Sequence, residues 1–225
     1  MLKIAHRGSV NGKVKDNRGD VSYHRFPDNS MLSYINAINE KFDMIECDIS
    51  LTSDNILIMF HDSHISSIPV RKMSYKEIKK KFKHLINFDY FCKNVYPKIP
   101  VLLDVKGAND TAIHIVNYFK RTKIDLSNFY ISSFNRNHLV TFYNFNKNIP
   151  LGVIYDGVML DIEKTFLIGF LNLAFVSIDW RDLNKKEINF YKKHNISVFS
   201  WTNKNHITRR AYPDNIDGVI TDYLF

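Results

Sequence analysis

Four places in the chain set chemically active side chains in or directly after a short apolar run. They are His6-Arg7-Gly8 after Leu2–Ala5, Glu46-Cys47-Asp48 inside Met44–Ile49, His61-Asp62 after Ile56–Phe60, and Asp104-Val105-Lys106 at the end of Val101–Val105. Successive side chains of a strand point to opposite faces, so Glu46 and Asp48 share one face and Cys47 takes the other. Asp104 and Lys106 share a face in the same way. Two carboxylates on one face of an apolar strand repel and desolvate each other unless a cation lies between them. A hard divalent ion, Mg2+ or Ca2+, suits such oxygen donors. Asp104 can complete a three-carboxylate set, and Arg7 and Lys106 add fixed positive charge. With His6 and His61 as proton carriers, the set fits attack on a phosphodiester. The cations stabilise charge on the phosphoryl oxygens, while the imidazoles move protons at nucleophile and leaving group.

The elements that must position these residues are legible as alternation. Further apolar runs lie at Phe129–Ile131, Leu151–Tyr155, Ala174–Ile178, Ile196–Phe199 and Gly218–Ile220. All nine are short and rich in Ile, Val or aromatics, which reads as buried parallel strand. Between them, Met31, Tyr34, Ile35 and Ile38 recur at helical spacing, as do Ile113, Val116 and Phe119, and Leu139, Phe142 and Tyr143. Capping boxes are expected at Ser74–Glu77 and Asn184–Glu187. Strand and helix alternate roughly eight times, which points to a (β/α)8 TIM barrel. The expected organisation is one domain over residues 1–225, with a short insertion after the second or third strand at about 63–99. Barrel enzymes build their sites at the C-terminal strand ends, where the polar residues above fall. An open doubly wound sheet is the rival, and no Gly-rich dinucleotide turn supports it.

Composition bounds the class. The chain has 225 residues, 45% of them hydrophobic, with 17 Phe and 12 Tyr, enough for a full core and against disorder. No apolar stretch is long enough to span a membrane, and the N-terminus lacks a signal-peptide pattern. The two cysteines, Cys47 and Cys92, make no disulfide framework, so an intracellular protein is the expectation. Lys and Arg number 31 against 23 Asp and Glu, a formal charge of +8. An anionic partner is implied, such as a phosphate ester or an acidic surface. No nucleic acid is expected, because no RNA- or DNA-binding motif accompanies the charge. Oligomeric state is left open.

The motifs above, together with Pro27-Asp28-Asn29-Ser30, Ser133-Phe134-Asn135, Trp201-Thr202 and Asp217-Gly218-Val219-Ile220-Thr221-Asp222, run in one order along nearly the whole chain. In that order the sequence resembles the glycerophosphodiester phosphodiesterase family. The resemblance implies a TIM barrel and a metal-dependent enzyme releasing sn-glycerol 3-phosphate and an alcohol. It implies Glu46, Asp48 and Asp104 as metal ligands and His6 and His61 as the acid/base pair. Arg7 and Lys106 would contact phosphate, and Trp201 would pack against the alcohol portion. In the related mechanism a substrate hydroxyl attacks phosphorus, and water opens the resulting cyclic phosphate. The sequence departs from the family where Asp28 and Asp104 replace the usual Glu, Ser30 the usual Thr and Lys204 the usual Asn.

Asp-x-Lys at this point is also similar to sphingomyelinase D and lysophospholipase D-like barrels, which act on lysolipid substrates and form a cyclic phosphate. A reading of another class is an inactive basic barrel that binds anionic ligands, with strongly salt-dependent affinity. The basic first loop, Ser9–Phe26, carries Lys13, Lys15, Arg18, His24 and Arg25 and is expected to cover the mouth in place of the usual cap. The stretch Tyr75–Lys83 reads as a solvated lysine face, with peripheral membrane contact as the sharper alternative. Asp28, Asn29 and Ser30 read as helix-capping residues, with a supporting role for Asp28 beside the site. Asp62 either orients His61 or caps a turn, and Asp222 is either a site residue or a loop cap. His24, His84, His114, His138, His194 and His206 are given no chemical role.

Overall fold

The structure is a computed structural model and describes residues 1–8, 12–15, 21–24, 26–203 and 215–223. In chain order its elements begin with β1 (Leu2–Ala5), β2 (Gly12–Lys15), β3 (Val21–His24), α1 (Met31–Asn39), β4 (Met44–Leu51) and β5 (Leu57–Met59). Next come β6 (His64–Ile65), β7 (Ile68–Pro69), α2 (Tyr75–Lys81), α3 (Phe88–Asn94), β8 (Val101–Val105) and α4 (Asp110–Thr122). They end with β9 (Phe129–Ser133), α5 (Arg136–Phe145), β10 (Leu151–Tyr155), α6 (Asp161–Leu171), β11 (Phe175–Asp179), α7 (Lys185–Lys193), β12 (Ser197–Asn203) and β13 (Gly218–Thr221).

Eight strands pair in parallel in the order β1-β4-β8-β9-β10-β11-β12-β13, and β13 returns to β1. The seam is continuous: Leu2, Lys3, Ile4 and Ala5 pair with Gly218, Val219, Ile220 and Thr221, while Ile4 and Ala5 also pair with Met44 and Ile45. This is a closed (β/α)8 barrel. Its strands are buried on both faces, as continuous apolar runs require. Period two divides their side chains between two cores. Ile4, Met44, Leu102, Phe175, Phe199 and Ile220 fill the barrel interior. Ala5, Ile45, Cys47, Leu103, Ile131, Val153 and Val198 pack outward against the helices. Gly152 makes room inside, since a Cβ there would lie 2.1 Å from the Phe175 ring.

The run Ile56–Phe60 departs from expectation. It is not a parallel barrel strand; β5 pairs antiparallel to β4, with Ile49 opposite Met59 and Leu51 opposite Leu57. A parallel return needs a crossover of a dozen or more residues, and only the turn Thr52–Ile56 separates the two strands. The chain then runs through the β6–β7 hairpin and α2, and Ile65 and Ile78 from these elements join Ile58 of β5 and the connecting residues Phe60, Val70, Met73 and Leu85 in a second apolar cluster.

Other local readings divide in the same way. The Ser74–Glu77 capping box forms on α2. Asn184 caps α7, but Glu187 does not close the box; it accepts from Lys164 Nζ at 2.6 Å and from the Tyr155 hydroxyl at 3.0 Å. Tyr34, Val116 and Phe119 are buried as their helical spacing predicts, whereas Ile35 and Ile113 are exposed at the edge of their faces. Cys47 and Cys92 are buried free thiols. The first loop contains the antiparallel pair β2–β3. The covering role expected of Ser9–Phe26 rests on side chains outside the described residues, as do Lys204 and His206. Among the described residues no helix is long and apolar enough to cross a membrane.

Candidate active site

The C-terminal mouth of the barrel holds a cleft of about 460 Å³, and all eight residues singled out from the sequence line it: His6, Arg7, Glu46, Asp48, His61, Asp104, Lys106 and Trp201. Strand register brings the carboxylates together. Asp48 on β4 stands directly opposite Asp104 on β8, and Glu46 lies two residues back on the same face as Asp48. One oxygen from each of Glu46, Asp48 and Asp104 lies within 4.8 Å of the other two, and all three residues are buried.

Around this cluster the chain adopts conformations that cost backbone energy. Arg7 is left-handed at φ 53°, as is Asn29 at φ 53°. The turn at Arg7 aims its backbone N–H at Glu46 Oε2, 2.9 Å away. Its guanidinium reaches Asp28 Oδ2 at 3.0 Å and Asp48 Oδ2 at 3.3 Å. Lys106 Nζ bridges the two aspartates, at 2.5 Å from Asp104 Oδ2 and 3.2 Å from Asp48 Oδ1. Asn29 does more than precede a helix. Its amide donates to Asp48 Oδ2 at 2.9 Å, and its carbonyl oxygen accepts from the Asp48 backbone N–H and the Tyr34 hydroxyl, both at 3.0 Å. Ser30 is the N-cap of α1, in a capping box closed by Ser33.

These contacts set the electrostatics. Burial works against ionised Asp48, but Lys106, Arg7, His61 and the Asn29 amide outweigh it and hold its carboxyl at about 2. Asp104 is pushed up to about 6 by burial and by Asp48, although Lys106 pulls the other way. Burial, Asp48 and Asp104 raise Glu46 well above the carboxylate range. Three carboxylates face two fixed cations, and Asp104 Oδ1 is buried without a hydrogen-bond partner among the described residues. An all-oxygen donor set with an orphaned carboxylate oxygen fits a hard divalent cation.

The two histidines come from different segments, the turn after β1 and the residues after β5, and are both held by carboxylates. His6 is 8% exposed, and its Nδ1 lies 2.7 Å from Asp222 Oδ1, just past β13. His61 is more open, with Nδ1 2.8 Å from Asp62 Oδ1. The antiparallel β5 places it there: Phe60 N–H donates to the Asp48 carbonyl at 3.0 Å, and Ser50 Oγ donates to the Phe60 carbonyl at 2.8 Å. His64 does not line the cleft and pairs with Ser63 Oγ at the surface.

The rest of the cleft is uncharged. Trp201 on β12 stands edge-on to Phe134 at 5.6 Å between ring centroids and donates through Nε1 to the Ser177 carbonyl at 3.1 Å. Lys106 Nζ lies 5.6 Å from the centre of the Phe134 ring. Leu102, Ser132, Ile154, Ser177, Thr202 and Ile220 complete the uncharged lining. His138, given no role from sequence, is buried in a knot behind Lys106. Its Nε2 lies 2.9 Å from the Ala108 carbonyl, and its Nδ1 lies 3.0 Å from Ser133 Oγ and 3.1 Å from the Val105 carbonyl. Sequence reasoning left Asp222 undecided and gave Asn29 only a capping role. The repeated Asp of Asp-Gly-Val-Ile-Thr-Asp was the available signal for the first; none marks the second.

Comparison with known proteins agrees with this geometry. Residues 18–105 match the Glycerophosphoryl diester phosphodiesterase family. YhdW of Bacillus subtilis is 23% identical over 244 residues, covering 99% of this chain and 95% of that protein. A glycerophosphodiester phosphodiesterase of Caldanaerobacter subterraneus is 21% identical over 243 residues, covering 98% of this chain and 93% of that protein. Among solved structures, an Oleispira antarctica phosphodiesterase in complex with its product sn-glycerol 3-phosphate superposes with a TM-score of 0.81 at 18% identity, over 99% of this chain and 93% of that one. With its motifs in family order on a closed (β/α)8 barrel, the chain resembles the glycerophosphodiester phosphodiesterases, by the family's pattern over residues 18–105 and by fold over nearly its whole length.

Proposed function

We propose that the protein hydrolyses glycerophosphodiesters to sn-glycerol 3-phosphate and an alcohol, using one divalent cation, Mg2+ or Ca2+. The observation that carries the reading is the convergence of three buried carboxylates, two cationic side chains and two carboxylate-held histidines on one cleft. Relatives named for this activity, and a fold neighbour solved with this product, support the same reaction.

Glu46, Asp48 and Asp104 would hold the cation, which when bound neutralises charge on the phosphoryl oxygens. Arg7 and Lys106 flank the same oxygens as fixed positive charges. Each takes its orientation from the carboxylates it pairs with, so both are in position before substrate arrives. His6 and His61 move protons at the attacking and leaving oxygens. Asp222 and Asp62, each on an Nδ1, leave Nε2 as the ring nitrogen free to face the cleft. Trp201 and Phe134 supply an apolar wall for substrate carbon.

Phosphorus NMR tests the proposal, with purified protein given glycerophosphocholine or lysophosphatidylcholine, with Mg2+ or Ca2+ and with EDTA. Glycerol 3-phosphate formed only with metal is the expected outcome. A cyclic phosphate from the lysolipid would instead assign the lysophospholipase D-like reaction. His6→Ala and His61→Ala should each cut turnover by about a hundredfold or more with little change in melting temperature. Normal activity in either variant removes that histidine from the acid/base pair.

A further inference from the structure

Seven buried side-chain polar atoms have no hydrogen-bond partner among the described residues, and four of them belong to residues lining the cleft. Arg7 Nε and Asp104 Oδ1 lie in the charged sector, where the ion pair of Nε with Asp48 Oδ2 at 3.3 Å and the proposed cation account for them. Ser132 Oγ and Ser177 Oγ lie in the uncharged sector and have no such account. Each serine is 1% exposed. Ser132 sits in register beside Asp104, one strand further round the barrel, and Ser177 sits beneath the Trp201 indole, which bonds its carbonyl.

A buried hydroxyl without a partner destabilises a fold, and alanine would fill either position without that cost. The cleft therefore keeps two hydroxyls that the protein itself does not use. Next to them stands the aromatic wall of Trp201 and Phe134. Hydroxyls beside an aromatic wall match a small polyol, whose carbon faces pack on rings while its oxygens hydrogen-bond. The cations that would bind phosphate all lie in the other sector, so a phosphodiester anchored there extends its polyol arm toward these serines.

We infer that Ser132 and Ser177 are specificity-determining residues that hydrogen-bond the terminal hydroxyl of the substrate's glyceryl arm. The inference rests on the proposed phosphodiesterase reaction and deepens it by naming what the uncharged sector recognises. A site built to bond a hydroxyl rejects an analogue lacking it, because the site's own polar groups are then left unpaired.

The test compares glycerophosphocholine with its 1,2-propanediol counterpart, which lacks only the terminal hydroxyl. Values of kcat/KM are measured for the wild type, Ser132→Ala, Ser177→Ala and the double variant. Calorimetric binding of sn-glycerol 3-phosphate and of inorganic phosphate is measured on the same proteins. The wild type should favour the glyceryl substrate strongly. At least one single variant should lose about tenfold of that preference, and the double variant most of it, with phosphate binding unchanged. Melting temperatures should hold or rise, since an unpartnered hydroxyl is removed; a merely structural role predicts a fall. Undiminished preference in the double variant, or equal losses on both substrates, overturns the inference while wild-type turnover leaves the reaction standing. Absence of both turnover and product binding in the wild type removes both.

Discussion

Asp48 and Asp104 face each other in register, yet their surroundings treat them oppositely. Asp48 draws on Lys106, Arg7, His61 and Asn29 and stays ionised, with its carboxyl at about 2. Asp104 has Lys106 and a like-charged neighbour, and sits at about 6 against an ordinary 3.8. Its folded value is raised, so its contribution to the metal-free fold is present below about pH 4 and is lost as pH rises through about 6. A bound cation reverses that loss. The gain in melting temperature on adding Mg2+ or Ca2+ should therefore be larger at a pH of about 7.5 than at about 5, by several degrees at saturation. Asp104→Asn should reduce this pH dependence in the same thermal scans, with Glu46, whose carboxyl is also raised, supplying the rest. Asp222 is a different kind of residue, acting through His6 at 2.7 Å. Asp222→Asn should lower kcat by at least about tenfold and leave KM nearly unchanged, because tautomer and ring orientation are lost while the binding groups remain.

At the scale of elements, the β8–α4 connection is tied down by α5, the helix that follows the next strand, β9. His138 of α5 meets the carbonyls of Val105 and Ala108, which bracket Lys106 and Gly107. Burial lowers the His138 pKa, while the two carbonyls act against that shift. The folded value is depressed, so the stability it supports is present above the ordinary value of about 6.5 and is lost as pH falls below it. His138→Gln should cost about 1–3 kcal/mol near neutral pH, with the gap to wild type narrowing in acid denaturation series. This knot was not legible beforehand, since a lone histidine on a helix face carries no sign of what its ring will meet. Period two did expose the pairs Glu46/Asp48 and Asp104/Lys106, because alternation is local. The direction of β5 was hidden for the opposite reason: an apolar pentapeptide reads the same in parallel and antiparallel pairing, and only the short turn before it decides. Glu187 shows the same limit, with the capping spacing present and a buried Lys164 as the stronger partner.

Across the whole molecule, eight strands close because the interior volume is shared out among them. Gly152 contributes nothing to that volume, and the Phe175 ring occupies the space. Gly152→Ala should overpack the interior by about 1–3 kcal/mol, seen as a fall of roughly 3–10 °C in melting temperature. A variant as stable as wild type would mean the ring shifts freely.

The bond between His6 on the first strand's turn and Asp222 beyond β13 spans the barrel's seam. The three carboxylates that line the cleft come from β4 and β8, so a chain still lacking its last strand would already own its acidic cluster but not an oriented His6. During synthesis the nascent barrel would thus remain chemically silent until its two ends meet. The appearance of activity would mark the moment of ring closure, and turnover in a refolding experiment would time a topological event that secondary-structure signals register too early.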